Sequence, residues 1–122
     1  MKLTFKGTNY DITGEILAFA EKKISALQKL AGDESMSEMR VDVELGRETE
    51  AHQNGRVWRA ELNVDKAGDR FRATATEESL EDAIDRVIGD MARELRSAKN
   101  KKQGLMKRGG AAVKSMLRGL GQ

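Results

Sequence analysis

The sequence predicts an α+β domain of order β-α-β-β-β-α, a four-stranded sheet with two helices on one face. Four short stretches alternate apolar and polar residues, and two longer ones place apolar residues three and four apart. The third observation is the complete absence of Pro from the 122 residues, which leaves those periodic segments unbroken.

Leu3 and Phe5 alternate with Lys2, Thr4 and Lys6, a short half-buried strand that Gly7 is expected to end. Thr13 then offers a helix cap, and Ile16, Ala20, Ile24, Leu27 and Ala31 recur at helical spacing until Gly32 closes the run. Lys22 and Lys29, two turns apart, fall on the opposite face of this helix. Lys23 falls near the edge of the packing face. Met39, Val41, Val43 and Leu45 alternate with Arg40, Asp42 and Glu44 up to Gly46, and a polar loop with Asn54-Gly55 follows. Trp58, Ala60, Leu62 and Val64 form the next apolar face. After a turn at Lys66-Ala67-Gly68-Asp69, Phe71, Ala73 and Ala75 form the last, and the three strands read as an antiparallel meander.

Ser79 caps a second, longer helix whose first turns carry Glu81, Asp82 and Asp85, where the helix dipole favours anions. Its packing stripe is Leu80, Ile84, Val87, Met91, Leu95 and Ala98. At about 100° per residue, Arg86, Arg93 and Arg96 point away from that stripe, and Lys99, Lys101 and Lys102 are expected to extend positive charge past its C-terminal end. The domain is expected to span 1–102. Residues 103–122 are expected to form a basic, Gly-rich tail, with Lys107, Arg108, Lys114 and Arg118 around a Val113, Met116, Leu117 and Leu120 stripe whose readings are docking on this domain, ordering on a ribosomal partner or, last, a membrane-surface helix.

Charge is segregated along the chain. Residues 91–122 hold nine Lys or Arg against one acid, Glu94, whereas residues 1–90 hold thirteen against nineteen. A net +8 beside −6 is hidden in a total of +2. Clustered cations gain by displacing counterions from a polyanion, so this is the footprint of a phosphate-rich partner. A solvated outer face explains the helix arginines taken singly, but not the separation of signs.

Enzyme chemistry finds no foothold. Zero Cys and a single His, His52, in a polar loop, remove thiolate and His-based metal sites and the usual general bases. Glu77-Glu78 and Glu81-Asp82 are explained by the start of a helix, and no phosphate-cradling Gly-rich loop is present. No cofactor and no small-molecule substrate are expected. Trp58 shares the face of Leu62 and reads as core, while the outward set of that strand is Arg59, Glu61 and Asn63, unlike the exposed aromatics of a base-stacking sheet. No stretch approaches a membrane span, the first residues lack the apolar core of a signal peptide, and no aromatic follows Phe71 to anchor a membrane-surface helix. A cytoplasmic protein, monomeric and without a membrane, is expected.

The order of elements and several residue strings resemble the ribosome hibernation promoting factor and ribosome-associated inhibitor A family, in its short form. The strings are Leu3-Thr4-Phe5-Lys6-Gly7 followed by Ile12-Thr13, then Ala73-Thr74-Ala75-Thr76-Glu77-Glu78-Ser79 leading into Ala83-Ile84-Asp85, and Arg93-Glu94-Leu95-Arg96. The resemblance covers residues 1 to 102. It implies a fold similar to a double-stranded RNA-binding domain, and binding of the small ribosomal subunit and its 16S-type ribosomal RNA in the channel used by messenger and transfer RNA. Members commonly have Met and Tyr after an acid where this chain has Ser79-Leu80-Glu81, and Lys where it has Asp90 and Ser97. Those departures weaken the contact of the second helix or shift it toward its C-terminal end.

The expected ribosomal RNA contacts are therefore Lys22, Lys23, Lys29, Arg86, Arg93, Arg96, Lys99, Lys101 and Lys102, with Lys107, Arg108, Lys114 and Arg118 as a second set on the tail. The expected function is translational inhibition and preservation of idle ribosomes by occlusion. Two other readings of the same residues are a double-stranded RNA module and a protein-interaction adaptor, neither tied to the ribosome.

Overall fold

The computed structural model describes residues 1–31, 39–48, 55–66 and 68–107, the side chains of 30, 31, 102, 103 and 105–107 excepted. The expected helix stop at Gly32, the loop residues His52 and Asn54, the turn residue Ala67, the tail cations Arg108, Lys114 and Arg118 and the tail stripe Val113, Met116, Leu117 and Leu120 lie outside the described residues.

Six elements follow in the expected order: β1 (Lys2–Thr8), α1 (Gly14–Ala31), β2 (Arg40–Arg47), β3 (Trp58–Lys66), β4 (Asp69–Glu77) and α2 (Leu80–Lys107). Both helices start as their caps dictate. The Thr13 hydroxyl accepts a hydrogen bond from the Ile16 N–H at 3.2 Å, and Ser79 accepts one from the Asp82 N–H at 3.1 Å. The sheet order is β1-β2-β3-β4, with β1 parallel to β2 and the other two pairings antiparallel. Joining two parallel neighbours needs a crossover, and α1 supplies it.

Register turns the alternating pattern into one apolar surface. Leu3, Val41, Val64 and Phe71 stand in one row across the sheet, and Phe5, Val43, Leu62 and Ala73 in the next. The helices bury Ile16, Ala20, Ile24 and Leu27 from α1 and Leu80, Ala83, Ile84, Val87, Met91 and Leu95 from α2 in the same core. Small side chains at Ala60, Ala73 and Ala75 let α2 lie close over β3 and β4, where Ala83 is fully buried. Trp58 is half-buried at the end of this face, edge-on to Tyr10 at 5.2 Å and beneath the Arg47 guanidinium at 5.8 Å.

Each helix begins just beyond a strand end that belongs to the same edge of the sheet, since Thr8 pairs with Gly46 and Glu77 with Trp58. The two helices consequently run in parallel toward the opposite edge, marked by Lys2, Arg40, Asp65 and Arg70. The Gln28 amide donates to the Met1 sulfur at 3.3 Å there, fixing the last turns of α1 beside the start of β1. At 1.5 Å per residue, the 28 residues of α2 span about 42 Å against about 30 Å for a nine-residue strand. Leu95 is the last buried side chain among the described residues, and the helix continues beyond it through residues 96–107, about 18 Å of its length.

Two glycines differ from their expected use as strand stops. β1 continues through Gly7 to Thr8 and β2 through Gly46 to Arg47. A Cβ on Gly7 would lie 2.2 Å from the Tyr10 carbonyl oxygen, because the chain doubles back at Asn9 (φ 54°). One on Gly46 would lie 2.7 Å from the Thr8 carbonyl oxygen of the paired strand. Gly7→Ala and Gly46→Ala should each cost about 1–3 kcal/mol by forced displacement of backbone. Gly89→Ala, on α2 with open space around it, should instead stabilise by up to about 1 kcal/mol. Thermal midpoints of the three variants check the contrast.

Candidate nucleic-acid interface

The outward surface of the helix layer is where the sequence-predicted cations gather. On α1, Lys22 and Lys29 are exposed. Lys23 is only half-exposed: its ammonium lies 3.2 Å from the Asp85 carboxylate of α2 and 5.4 Å from the Phe19 ring, tying the two helices across their crease.

On α2, Arg86 and Arg93 point outward as expected, but each has an acid beside it. Arg86 donates to Glu77 at 3.1 Å, and Arg93 donates to Asp90 one turn back. Exposed pairs of this kind contribute at most about 1 kcal/mol, so they do not hold the arginines fixed, but they weaken the local field a phosphate would meet. Arg96, Lys99 and Lys101 are exposed, and no ion pair among the described residues involves them. The helix runs on to Lys107, because no Pro interrupts it, so Lys99, Lys101 and Lys102 lie within it and not past its end as expected, and Lys107 lies on it and not on the tail; the side chains of Lys102 and Lys107 are outside the described set.

The charge of α2 therefore changes sign along its length. From Leu80 to Ala92 it carries Glu81, Asp82, Asp85 and Asp90 against Arg86; from Arg93 to Lys107 it carries six cations against Glu94. This order complements the helix macrodipole at both ends. It also puts the cations on the overhang, beyond the core, where a groove can receive them from several sides. The Asp90 and Ser97 departures thus accompany a basic surface centred near Arg96 rather than Arg86.

The sheet face away from the helices holds an arrangement that the sequence did not signal. Glu61 is 9% exposed on what alternation marks as a solvent face. It accepts hydrogen bonds from Arg72 at 2.6 Å, Arg59 at 3.0 Å and Asn63 at 3.1 Å. Burial alone would raise its carboxyl pKa, but the hydrogen bonds from Arg72, Arg59 and Asn63 outweigh burial and hold it below the ordinary 4.5. The Asp42 carboxyl is likewise lowered, first by the hydrogen bond from the Thr4 hydroxyl, against burial, and further by Arg40 and Lys2. These two groups strap β1 to β2 and β3 to β4 across strands and need only the register to form.

No group of three or more His, Asp or Glu side chains placed to hold a metal ion occurs among the described residues. No described helix is long and apolar enough to cross a membrane. The grooves along the strands, 300 to 460 Å³, are lined mainly by the polar and charged residues that also pair across strands, with Phe5, Val43, Val64 and Phe71 among them.

A one-sided mixed sheet under two parallel helices, with the second helix basic where it outruns the core, defines a small α+β binding domain of β-α-β-β-β-α order. The chain belongs to the family described as sigma 54 modulation protein / S30EA ribosomal protein, whose model matches residues 3–103. That family consists of ribosome-associated factors and is not an enzyme class. Among solved structures, the chain is similar to the N-terminal domain of Protein Y from Thermus thermophilus, at 26% identity and a TM-score of 0.64, over 80% of this chain and 98% of that one. It shares its fold with a ribosomal subunit interface protein from Coxiella burnetii, at 18% identity and a TM-score of 0.66, over 82% of this chain and 99% of that one. No curated protein sequence matches.

Two outcomes are expected. Salt-dependent affinity for an immobilised polyanion should lose about one unit of slope for each of Arg96→Ala and Lys99→Ala, and distinctly less for Arg86→Ala. For Glu61, whose folded pKa is lowered, the stabilisation is fully present above about pH 4.5 and fades as pH falls through that value toward the folded pKa. Glu61→Gln should cost about 1–2 kcal/mol at neutral pH and flatten the acid side of the stability profile, read by denaturant titration from pH 7 to 3.

Proposed function

We propose that this protein binds the small ribosomal subunit through the outer faces of α1 and α2, occupies the decoding region and the channel for messenger and transfer RNA, and thereby keeps idle ribosomes from translating. The observation that carries this reading is the basic overhang of α2, in a chain whose family is ribosome-associated. Ribosomal RNA offers phosphates on the walls of a confined channel, and a helix end about 18 Å long on which Arg96, Lys99 and Lys101 are exposed suits such a place.

Phosphate contacts carry no sequence information, so the domain reads shape and charge. The mechanism is occlusion: two nucleic acids cannot share the channel with a folded domain, and no bond is made or broken. The protein works where ribosomes are, in the cytoplasm, as a single copy per subunit. Lys22, Lys29, Arg96, Lys99 and Lys101 make the principal contacts in this reading, with Lys23, Arg86 and Arg93 available once their acids are displaced. Lys102, Lys107 and the tail cations Arg108, Lys114 and Arg118 are proposed as further phosphate contacts.

Co-sedimentation with small subunits over a salt series tests this. Binding should saturate near one copy per subunit, weaken with salt, fail in the Arg93→Glu, Arg96→Glu double variant, and compete with messenger RNA and initiator transfer RNA. Equal binding to empty and programmed subunits would sink the occlusion mechanism, and preference for free duplex RNA over subunits would return the domain to a general duplex binder.

A further inference from the structure

Both helices point their C-terminal ends at one edge of the sheet, and that edge is itself cationic. Lys2, Arg40, Asp65 and Arg70 form one cross-strand row there, on the face the helices leave open. Lys2 and Arg40 are directly opposite, an arrangement of like charges that costs stability in a sheet. Arg40 leans to Asp42 at 3.3 Å and Arg70 to Asp65, the one acid within the row, at 3.6 Å, while Lys2, whose charge is felt at Asp42, takes part in no ion pair among the described residues, so the row itself keeps three cations against one acid. The Arg70 side chain is 86% exposed and Arg40 is 52% exposed, so neither is held for packing. Around the corner of the same edge stand Lys29 at the end of α1 and Lys99 and Lys101 on the overhang.

The opposite edge has the reverse sign. Glu15, Glu78, Glu81 and Asp82 are exposed at the starts of the two helices. The aligned carbonyl ends of α1 and α2 would by themselves make the Lys2 edge negative, and the cations gathered from strands and helices more than reverse it. An end, and not only a face, has been made basic.

We infer that Lys2, Arg40 and Arg70 form a third phosphate-binding element, so that the RNA contact wraps from the helix layer around the sheet edge onto the open face, with the acidic edge turned away from the RNA. The occupant is a phosphodiester backbone, because the complementarity is one of charge carried around a corner from the helix ends to the strand ends. The inference rests on the ribosome-binding reading above and adds to it an orientation and three contacts that the helices do not contain.

The chain has no Cys, so single cysteines give unambiguous tethering sites. Iron chelated at Asp69→Cys, on the turn beside Arg70, should cleave ribosomal RNA in the bound complex, and iron at Glu78→Cys should not. In parallel, the Lys2→Gln, Arg40→Gln, Arg70→Gln triple variant should lower the salt slope of subunit binding by about two to three units, with a thermal midpoint close to that of the parent. A charge-matched control, Lys6→Gln, Arg47→Gln, Arg56→Gln, should lower it by less than one. If the parent fails to bind subunits, the ribosome reading itself is lost. If the parent binds but the triple variant and the control behave alike, or cleavage comes equally from both positions, the third element is overturned while the helix interface stands.

Discussion

Everything in this fold depends on a sheet that is apolar on one side only. Four strands in register place Leu3, Val41, Val64 and Phe71 and their neighbouring rows on a single surface, and the apolar faces of both helices must go there or remain in water. Because each helix starts from the same edge of the sheet, covering that surface also forces the helices to be parallel. Parallel helices put both acidic starts together and both basic ends together. The electrical asymmetry of the molecule is thus a by-product of how its core is covered, amplified by the choice of surface residues.

Most of the architecture could be read in the sequence because it rests on periodicity and on caps. The alternation around Val41, Leu62 and Ala73 and the hydroxyls of Thr13 and Ser79 report local structure directly, and the folded chain uses them as expected. Gly7 and Gly46 were legible only as interruptions. Their reason for being glycine is the approach of a backbone carbonyl from elsewhere in the chain, which no local pattern encodes. The parallel pairing of β1 with β2 was not readable either, since alternation fixes the face of a strand but not its neighbour.

The outer helix positions were legible from a 100° wheel, and Arg86, Arg93 and Arg96 are exposed where that wheel puts them, whereas the length of helix that takes in Lys99 and Lys101 was not foreseen. What the wheel lacks is the third dimension. It does not show that Glu77 from β4 comes beside Arg86, that Asp85 draws Lys23 into the crease between helices, or that strand-end cations share an edge with helix-end cations. Nor does alternation distinguish Glu61 from its neighbours, although its place under two arginines makes it the most enclosed ionised group described. Net charge, hydropathy and helical phase are properties of a chain, whereas ion pairing is a property of a register.

The Tyr10, Trp58 and Arg47 cluster lies far from the basic edge, at the junction where β1 turns into α1 and the meander closes. Trp58 is the only tryptophan in the chain and Tyr10 the only tyrosine. Their edge-on packing makes the intrinsic ultraviolet emission of the protein a local sensor of that junction. A loss of sheet closure would show as a change in indole emission and tyrosine-to-tryptophan energy transfer, and contacts made at the opposite edge would leave both optical signals in place.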